Sequence, residues 1–140
     1  MKTFEEIIKQ ESVFLHNWSN VIDVLKDFDD IFDPSDTDKQ ELLNNHRGER
    51  ILFASYGTDN YSGDAFVLFE KDGKLYEVNG SHCSCYGLEE QWKPEEVMLS
   101  ELENRLLNGT FGEDDYSGNE FKKELCEFLG VEFKLNQIYY

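Results

Sequence analysis

Residues 64–79 read DAFVLFEKDGKLYEVN, and the rest of the fold can be worked out from this stretch. Two runs rich in β-branched and aromatic residues flank an Asp72-Gly73 pair, which supplies the positive φ angles that a tight hairpin turn needs. The first run, from Ala65 to Phe69, is apolar throughout, as is typical of a central strand covered on both faces. The sequence therefore predicts a β-hairpin at the centre of a sheet.

Short connections and helical periodicity define the remainder of the predicted fold. Residues 51–56 (ILFASY) predict a preceding strand, and its connection to the hairpin is too short for a parallel crossover. Apolar residues recur at three- and four-residue spacing from about Ser12 to Phe28, which predicts one long helix. Sequences of the capping-box type predict further helices after Thr37, Ser100 and Ser117.

The predicted fold class is α+β, with a small antiparallel sheet of three to five strands flanked by N-terminal and C-terminal helices that pack on one face. A chain of 140 residues is expected to form one domain. Residues 1–48 and 100–140 are predicted to be helical parts, and residues 50–99 to hold the sheet and a cysteine loop. An edge strand is expected within residues 131–140.

The outstanding property of the composition is its charge. Thirty acidic residues against thirteen basic ones give a formal net charge of −17. This charge disfavours direct nucleic-acid binding and favours a basic protein surface as the partner. The sequence contains no apolar run of membrane-spanning length, it starts with a charged MKTFEEIIKQE unlike a signal peptide, and its three cysteines are an odd number. The expected location is therefore a reducing cytoplasm, without membrane contact.

The hairpin leads into His82-Cys83-Ser84-Cys85, the first candidate for chemistry. Imidazole and thiolate are zinc ligands, and a histidine beside a thiol can also create a nucleophile. The Cys-x-Cys spacing differs from the Cys-x2-Cys of zinc fingers. His82, Cys83 and Cys85 are therefore candidate metal ligands, with small buried residues at a strand end as the alternative. No motif requires a cofactor, although zinc fits this loop. A Cys83–Cys85 disulfide would be strained and is not expected.

A second candidate site is an acidic stretch between Asp23 and Glu41. A calcium-binding EF-hand from Asp27 does not fit, because Phe32 and Asp38 stand where the motif needs glycine and glutamate. Such carboxylates can imitate a row of phosphates, or can form a solvated face that only aids solubility. With a second acidic group, the candidate partner-binding residues are Asp27, Asp29, Asp30, Asp33, Asp36, Asp38, Glu113, Asp114 and Asp115.

The segment DAFVLFEKDGKLYEVNGSHCSCYGLEEQWKPEE, residues 64–96, resembles part of small acidic proteins carried by bacteriophages and other mobile elements. The resemblance is looser from there to the last predicted helix. It carries over no catalytic residue. It implies a bacterial host and an anti-defence role of the anti-CRISPR or DNA-mimic type. The partner would then be the basic channel of a host CRISPR nuclease or another nucleic-acid-directed enzyme.

Three functions stay open from the sequence alone. The leading hypothesis is a viral, non-enzymatic inhibitor that occupies the basic surface of a host defence enzyme. The alternative is a metal-binding or thiol-dependent protein centred on His82, Cys83 and Cys85. The third is an interaction module whose acidity only aids solubility. The sequence lacks the Walker, Rossmann, Gly-x-Ser-x-Gly and His-Glu-x-x-His patterns, which gives an enzyme no support without excluding one.

Overall fold

A five-stranded sheet forms the middle layer of the protein. The computed structural model describes residues 1–113 and 117–137. The strands are β1 (Val13–His16), β2 (Arg50–Asp59), β3 (Ser62–Lys71), β4 (Lys74–His82) and β5 (Glu95–Glu96). They lie in chain order across the sheet. The strand β1 runs parallel to β2, and the other neighbouring pairs are antiparallel. The predicted meander is confirmed in β2 to β4, and the α+β class is confirmed.

The predicted hairpin is the long β3–β4 pair. Its two-residue turn has Asp72 at φ 52° and Gly73 at φ 77°, and Lys71 pairs with Lys74 across it. Two consecutive positive φ angles match the right-handed twist of the strands, which is why an Asp-Gly pair closes this hairpin. The register then continues for nine residue pairs, from Lys71–Lys74 to Gly63–His82.

Helices cover both faces of this sheet. The described helices are α1 (Phe4–Ile8), α2 (Val21–Phe28), α3 (Asp36–Asn45), α4 (Leu99–Asn108) and α5 (Lys122–Leu129). Apolar residues of α1, α4 and α5 form one core with one face of the sheet, and those of α2 and α3 form a second core with the other. The prediction that the helices pack on one face was wrong.

The strand β3 shows why two layers of helices are needed. Ala65, Val67 and Phe69 belong to the core beneath α2 and α3, whereas Phe66 and Leu68 belong to the core beneath α4 and α5. Side chains alternate between the faces of a strand, so an uninterrupted apolar run requires cover on both sides. The expectation that this strand is central and doubly covered is confirmed.

The predicted long helix from Ser12 to Phe28 was wrong in its first half. Val13–His16 forms β1 and pairs in parallel with Phe53 to Tyr56 of β2. The helix α2 begins only at Val21, because the Asn20 side chain accepts a hydrogen bond from the backbone N–H of Asp23 and caps it. Hydrogen bonding to the edge of β2 thus determines the structure of residues 13–16, although the spacing of their apolar residues is helical.

The remaining differences from the predicted elements are small. The helix α3 is capped by Ser35 with Asp38 rather than by Thr37, and α5 begins at Lys122 without a side-chain cap. The strand β5 at Glu95–Glu96 completes the sheet, whereas residues 131–137, where part of the edge strand was expected, form no strand. The part of the predicted edge strand at 138–140 lies outside the described residues. Every described helix is too short or too polar to cross a membrane.

Candidate binding surface

The connection between α2 and α3, together with the first residue of α3, carries four of the nine predicted partner-binding acids. Residues 29–36, called here the acidic segment, lie between the end of α2 and the first turn of α3. Asp29, Asp30, Asp33 and Asp36 are exposed there. The side chains of Asp30, Asp33 and Asp36 make no hydrogen bond or ion pair within the described ranges. These three carboxylates are therefore available to a partner.

Other acids of the predicted set have roles inside the fold. Asp27 accepts a hydrogen bond from the indole Nε1–H of the buried Trp18 at 2.8 Å and pairs with Lys26 at 3.1 Å. Asp38 completes the capping box of α3 with Ser35. Asp29 caps the end of α2, and its Oδ2 lies 3.6 Å from Nε2 of His46. Asp27 and Asp38 thus hold their neighbours in place, and their substitution would disturb the fold as well as the surface.

An aromatic side chain stands at the middle of the acidic segment. Phe32 is 98% exposed, more than any other large apolar side chain in the described part of the chain. Asp30 and Asp33 on either side of it have φ angles of 56° and 51°. Aspartate tolerates this left-handed conformation better than most residues, so the segment can make two sharp turns around Phe32. Phe32 was not among the site residues predicted from the sequence, although an aromatic residue between aspartates is a recognisable sign of a binding surface.

Only Glu113 of the second predicted acidic group lies within the described residues, and it is buried. Glu113 is only 4% exposed, and its carboxylate accepts hydrogen bonds from Lys122 Nζ at 2.7 Å and from the backbone N–H groups of Asn136 and Gln137. This carboxylate is therefore used inside the fold, and contact of Glu113 with a partner stays a prediction that its burial does not support. Asp114 and Asp115 lie outside the described residues.

The cysteine loop, residues 83–91, follows β4, and hydrogen bonds between Gln91 and Ser81 hold its end to the last part of that strand. Cys83 and Cys85 are joined as a disulfide, with their Cα atoms 5.4 Å apart, so the expectation that no such disulfide forms was wrong. The backbone N–H of Cys83 donates to the carbonyl of Tyr86, and this bridge closes the loop tip. The closed tip brings the two Cα atoms within the range that a disulfide spans, despite the single intervening residue.

His82 faces Tyr56 of β2 rather than a cysteine. Its Nδ1 and the Tyr56 hydroxyl are joined by a hydrogen bond of 2.7 Å. Burial, and then the negative charges of Asp27 and Glu89, raise the pKa of Tyr56 to about 12. Tyr56 was missed from the sequence because only the strand register brings it beside His82. The two carboxylates give this end of the sheet a negative electrostatic potential.

A cavity of about 170 Å³ joins the two predicted regions. On one side lie residues of α2 and the acidic segment, and on the other the loop that follows the cysteines; the lining residues are Lys26, Asp27, Asp30, Ile31, Phe32, Tyr56, Gly87, Leu88 and Glu89. The acidic segment and the cysteine loop thus form neighbouring parts of one surface. Among the described residues that line it, the carboxylates of Asp27, Asp30 and Glu89 outnumber the one cation, Lys26.

The donor set for a metal is sparse. No group of three or more His, Cys, Asp or Glu side chains in residues 1–113 and 117–137 is arranged to hold a metal ion. Of the three predicted ligands, the two thiols are joined to each other and His82 Nδ1 is engaged with Tyr56. Zinc binding at His82, Cys83 and Cys85 stays a prediction, and it would require the disulfide to be reduced, because the thiolate is the ligand form of cysteine.

Comparison with known proteins yields no match for this chain among protein-family models, curated proteins or solved structures.

Proposed function

We propose that this protein is a non-enzymatic binding protein that docks its acidic segment on a basic surface of another protein. The observation that carries the proposal is the arrangement around Phe32. One almost fully exposed aromatic side chain stands among the exposed carboxylates of Asp30, Asp33 and Asp36. An isolated phenylalanine on a strongly charged loop has no role in the described core, so the proposal gives this side chain a use in binding.

The arrangement has the features of a protein interface. Binding energy in such interfaces is concentrated in a few aromatic or arginine anchors, and a polar rim surrounds them. Charged rims mainly speed association and select the partner, and their effect weakens as salt screens them. Phe32 would enter an apolar depression of the partner, and the three aspartates would face its lysine and arginine side chains.

For the partner we propose the basic nucleic-acid channel of a host defence enzyme, such as a CRISPR nuclease. Two features support this choice. The net charge of −17 favours a strongly basic surface. The second feature is the resemblance of residues 64–96 to proteins of bacteriophages and mobile elements, which is predicted from the sequence alone. Such elements multiply in bacteria that defend themselves with these enzymes. The inhibitor would act by excluding the nucleic acid from the channel.

The test is a tagged pull-down from bacterial lysate with three versions of the protein, followed by mass spectrometry. The first is the natural sequence. The second carries Asp30→Asn, Asp33→Asn and Asp36→Asn, since asparagine keeps the left-handed conformation at positions 30 and 33. The third carries Glu124→Gln, Glu127→Gln and Glu132→Gln, which removes the same charge from exposed positions in and after α5.

We expect the natural protein and the Glu variant to capture the same nucleic-acid-directed enzyme at low salt and to lose it at high salt. The Asp variant should bind that enzyme at least about tenfold more weakly, a change of roughly 1.4 kcal/mol. Equal capture by all three versions would contradict the proposed surface. Capture of a partner without a basic surface would contradict the proposed partner class but not the surface.

A further inference from the structure

The cysteine loop carries a chemical group that the proposed function does not use. Cys85 is exposed, Cys83 is half-buried, and the two form a disulfide at the loop tip. The third cysteine, Cys126, is 1% exposed and belongs to the core beneath α4 and α5. Burial raises the pKa of the Cys126 thiol, although the nearby charge of Lys122 opposes that effect. The pair is therefore the reactive sulfur of the described chain, and Cys126 serves as an internal control.

The two sulfurs differ in their surroundings. Solvent reaches Cys85 more readily than Cys83. The backbone N–H of Cys85 donates to Sγ of Cys83 at 3.3 Å. A hydrogen-bond donor favours the charged form of the group that accepts it. Cys85 is thus the more exposed of the two residues, and Cys83 is the better placed to leave as a thiolate.

We propose that Cys83 and Cys85 form a reversible thiol–disulfide exchange site for small thiols and their disulfides. A thiolate attacks Cys85 Sγ, a new S–S bond forms, and the bond to Cys83 breaks. Cys83 leaves as a thiolate and takes a proton from water. A second thiolate attacks the external sulfur of the mixed disulfide and releases Cys85, which is protonated in turn. Two small thiols are oxidised to one disulfide, and the protein pair is reduced to two thiols.

The fold around the loop allows this cycle to be reversible. Leu88 is 2% exposed and anchors the chain after the tip in the core beneath α2. The Gln91 side chain pairs with the backbone of Ser81, accepting from its N–H at 2.8 Å and donating to its carbonyl at 2.7 Å. These contacts hold both ends of the loop and do not involve the cysteines. Opening the disulfide therefore leaves the base of the loop in place.

The charge of the protein selects the thiol. Glu89 and Glu90 follow the cysteines in the same loop, and the whole chain carries a net charge of −17. An anionic thiol is repelled from this surface, whereas a cationic one is attracted, and salt screens both effects. The site is expected to exchange fastest with cationic thiols at low salt.

The experiment uses the folded, air-oxidised protein. Cysteamine and 3-mercaptopropionate are compared at equal thiolate concentrations, and exposed thiols are alkylated and counted by mass spectrometry. We expect each reagent to release two alkylatable thiols without a change in the circular dichroism spectrum, and cystamine to restore the disulfide. Added salt should slow the reaction with cysteamine and speed the reaction with 3-mercaptopropionate.

Single-cysteine variants test the order of attack. With cystamine, Cys83→Ala should form a mixed disulfide at Cys85 about tenfold faster than Cys85→Ala forms one at Cys83, because rates of exchange follow access to the sulfur. Cys126→Ala should release two thiols as the natural sequence does. The proposal is overturned if the folded protein carries two free thiols that cystamine does not oxidise, or if its disulfide reacts only after unfolding.

Discussion

Glu113 illustrates how a single residue changes meaning between sequence and structure. Burial alone would raise the pKa of this carboxyl group, but hydrogen bonds from Lys122 and from two backbone N–H groups outweigh burial and hold the pKa below its usual value. Lys122 is itself fully buried and donates also to the carbonyl of Gly109 at 3.1 Å. The pair therefore fixes the chain around Gly109 to the start of α5. The local sequence cannot predict this ion pair, because Glu113 and Lys122 come together only when the surrounding segments pack.

Breaking this buried pair should be costly. Lys122→Met leaves a buried carboxylate without its cation, so we expect the free energy of unfolding to fall by about 3–5 kcal/mol. The double variant Lys122→Met with Glu113→Gln should lose clearly less than the sum of the two single variants. Urea unfolding measures all four proteins. A single-variant loss below about 1 kcal/mol would show that the pair contributes little.

The same pair predicts an acid dependence. The pKa of Glu113 is lower in the folded state than its usual value near 4.5, so its stabilising contribution is present above pH 4.5. It is lost as the pH falls through the lower, folded-state pKa. Unfolding free energies measured from pH 7 down to pH 3 should therefore fall less steeply for Glu113→Gln than for the natural sequence. Parallel curves would contradict the assignment.

Tyr56 predicts the opposite, alkaline dependence. Its folded-state pKa of about 12 exceeds the ordinary value of 10.0, so its contribution is complete below pH 10 and is lost as the pH rises towards 12. The natural protein should lose stability across this window, and Tyr56→Phe should lose less. Urea unfolding at pH 9, 10 and 11 measures the difference. An equally steep loss of stability in the variant would show that the pKa of Tyr56 is not raised in the folded state.

At the scale of elements, a side-chain cap decides where α3 begins. The side chain of Ser35 accepts a hydrogen bond from the backbone N–H of Asp38, and the Asp38 carboxylate accepts one from the backbone N–H of Ser35. Ser35→Ala should cost about 1 kcal/mol of unfolding free energy. Thr37→Ala, two residues away at an exposed position inside α3, should change it by less than about 0.5 kcal/mol. The reverse order in thermal or urea unfolding would restore the cap predicted at Thr37.

How far the elements could be predicted depends on where their determinants lie. The hairpin carries its own turn residues and was found with its turn in place. The strand β1 lacks such a signal, since its hydrogen bonds come from β2 some forty residues later. The helical spacing around it was real, but it described α2 alone. Boundaries set by distant partners are not written in the local pattern.

At the scale of the whole molecule, the net charge and the two layers of helices could be predicted from the sequence, but the residues of the binding surface could not. The apolar run in β3 already required cover on both faces, which the helices provide. The net charge follows from composition. Which carboxylates reach a partner depends on docking: Asp30, Asp33 and Asp36 are exposed, Asp27 supports Trp18, and Glu113 is buried. The sequence grouped these residues together, whereas the fold separates them.

The acidic segment around Phe32 is the surface that we propose a partner binds. The most direct measurement replaces Phe32 with a photoreactive phenylalanine analogue and irradiates the protein in bacterial cells that contain its target. A matched protein carries the analogue at Phe133, which is 41% exposed and lies after α5. We predict a covalent adduct with a basic, nucleic-acid-directed protein from position 32 and none from position 133. An adduct from position 133 alone would contradict the proposed binding surface.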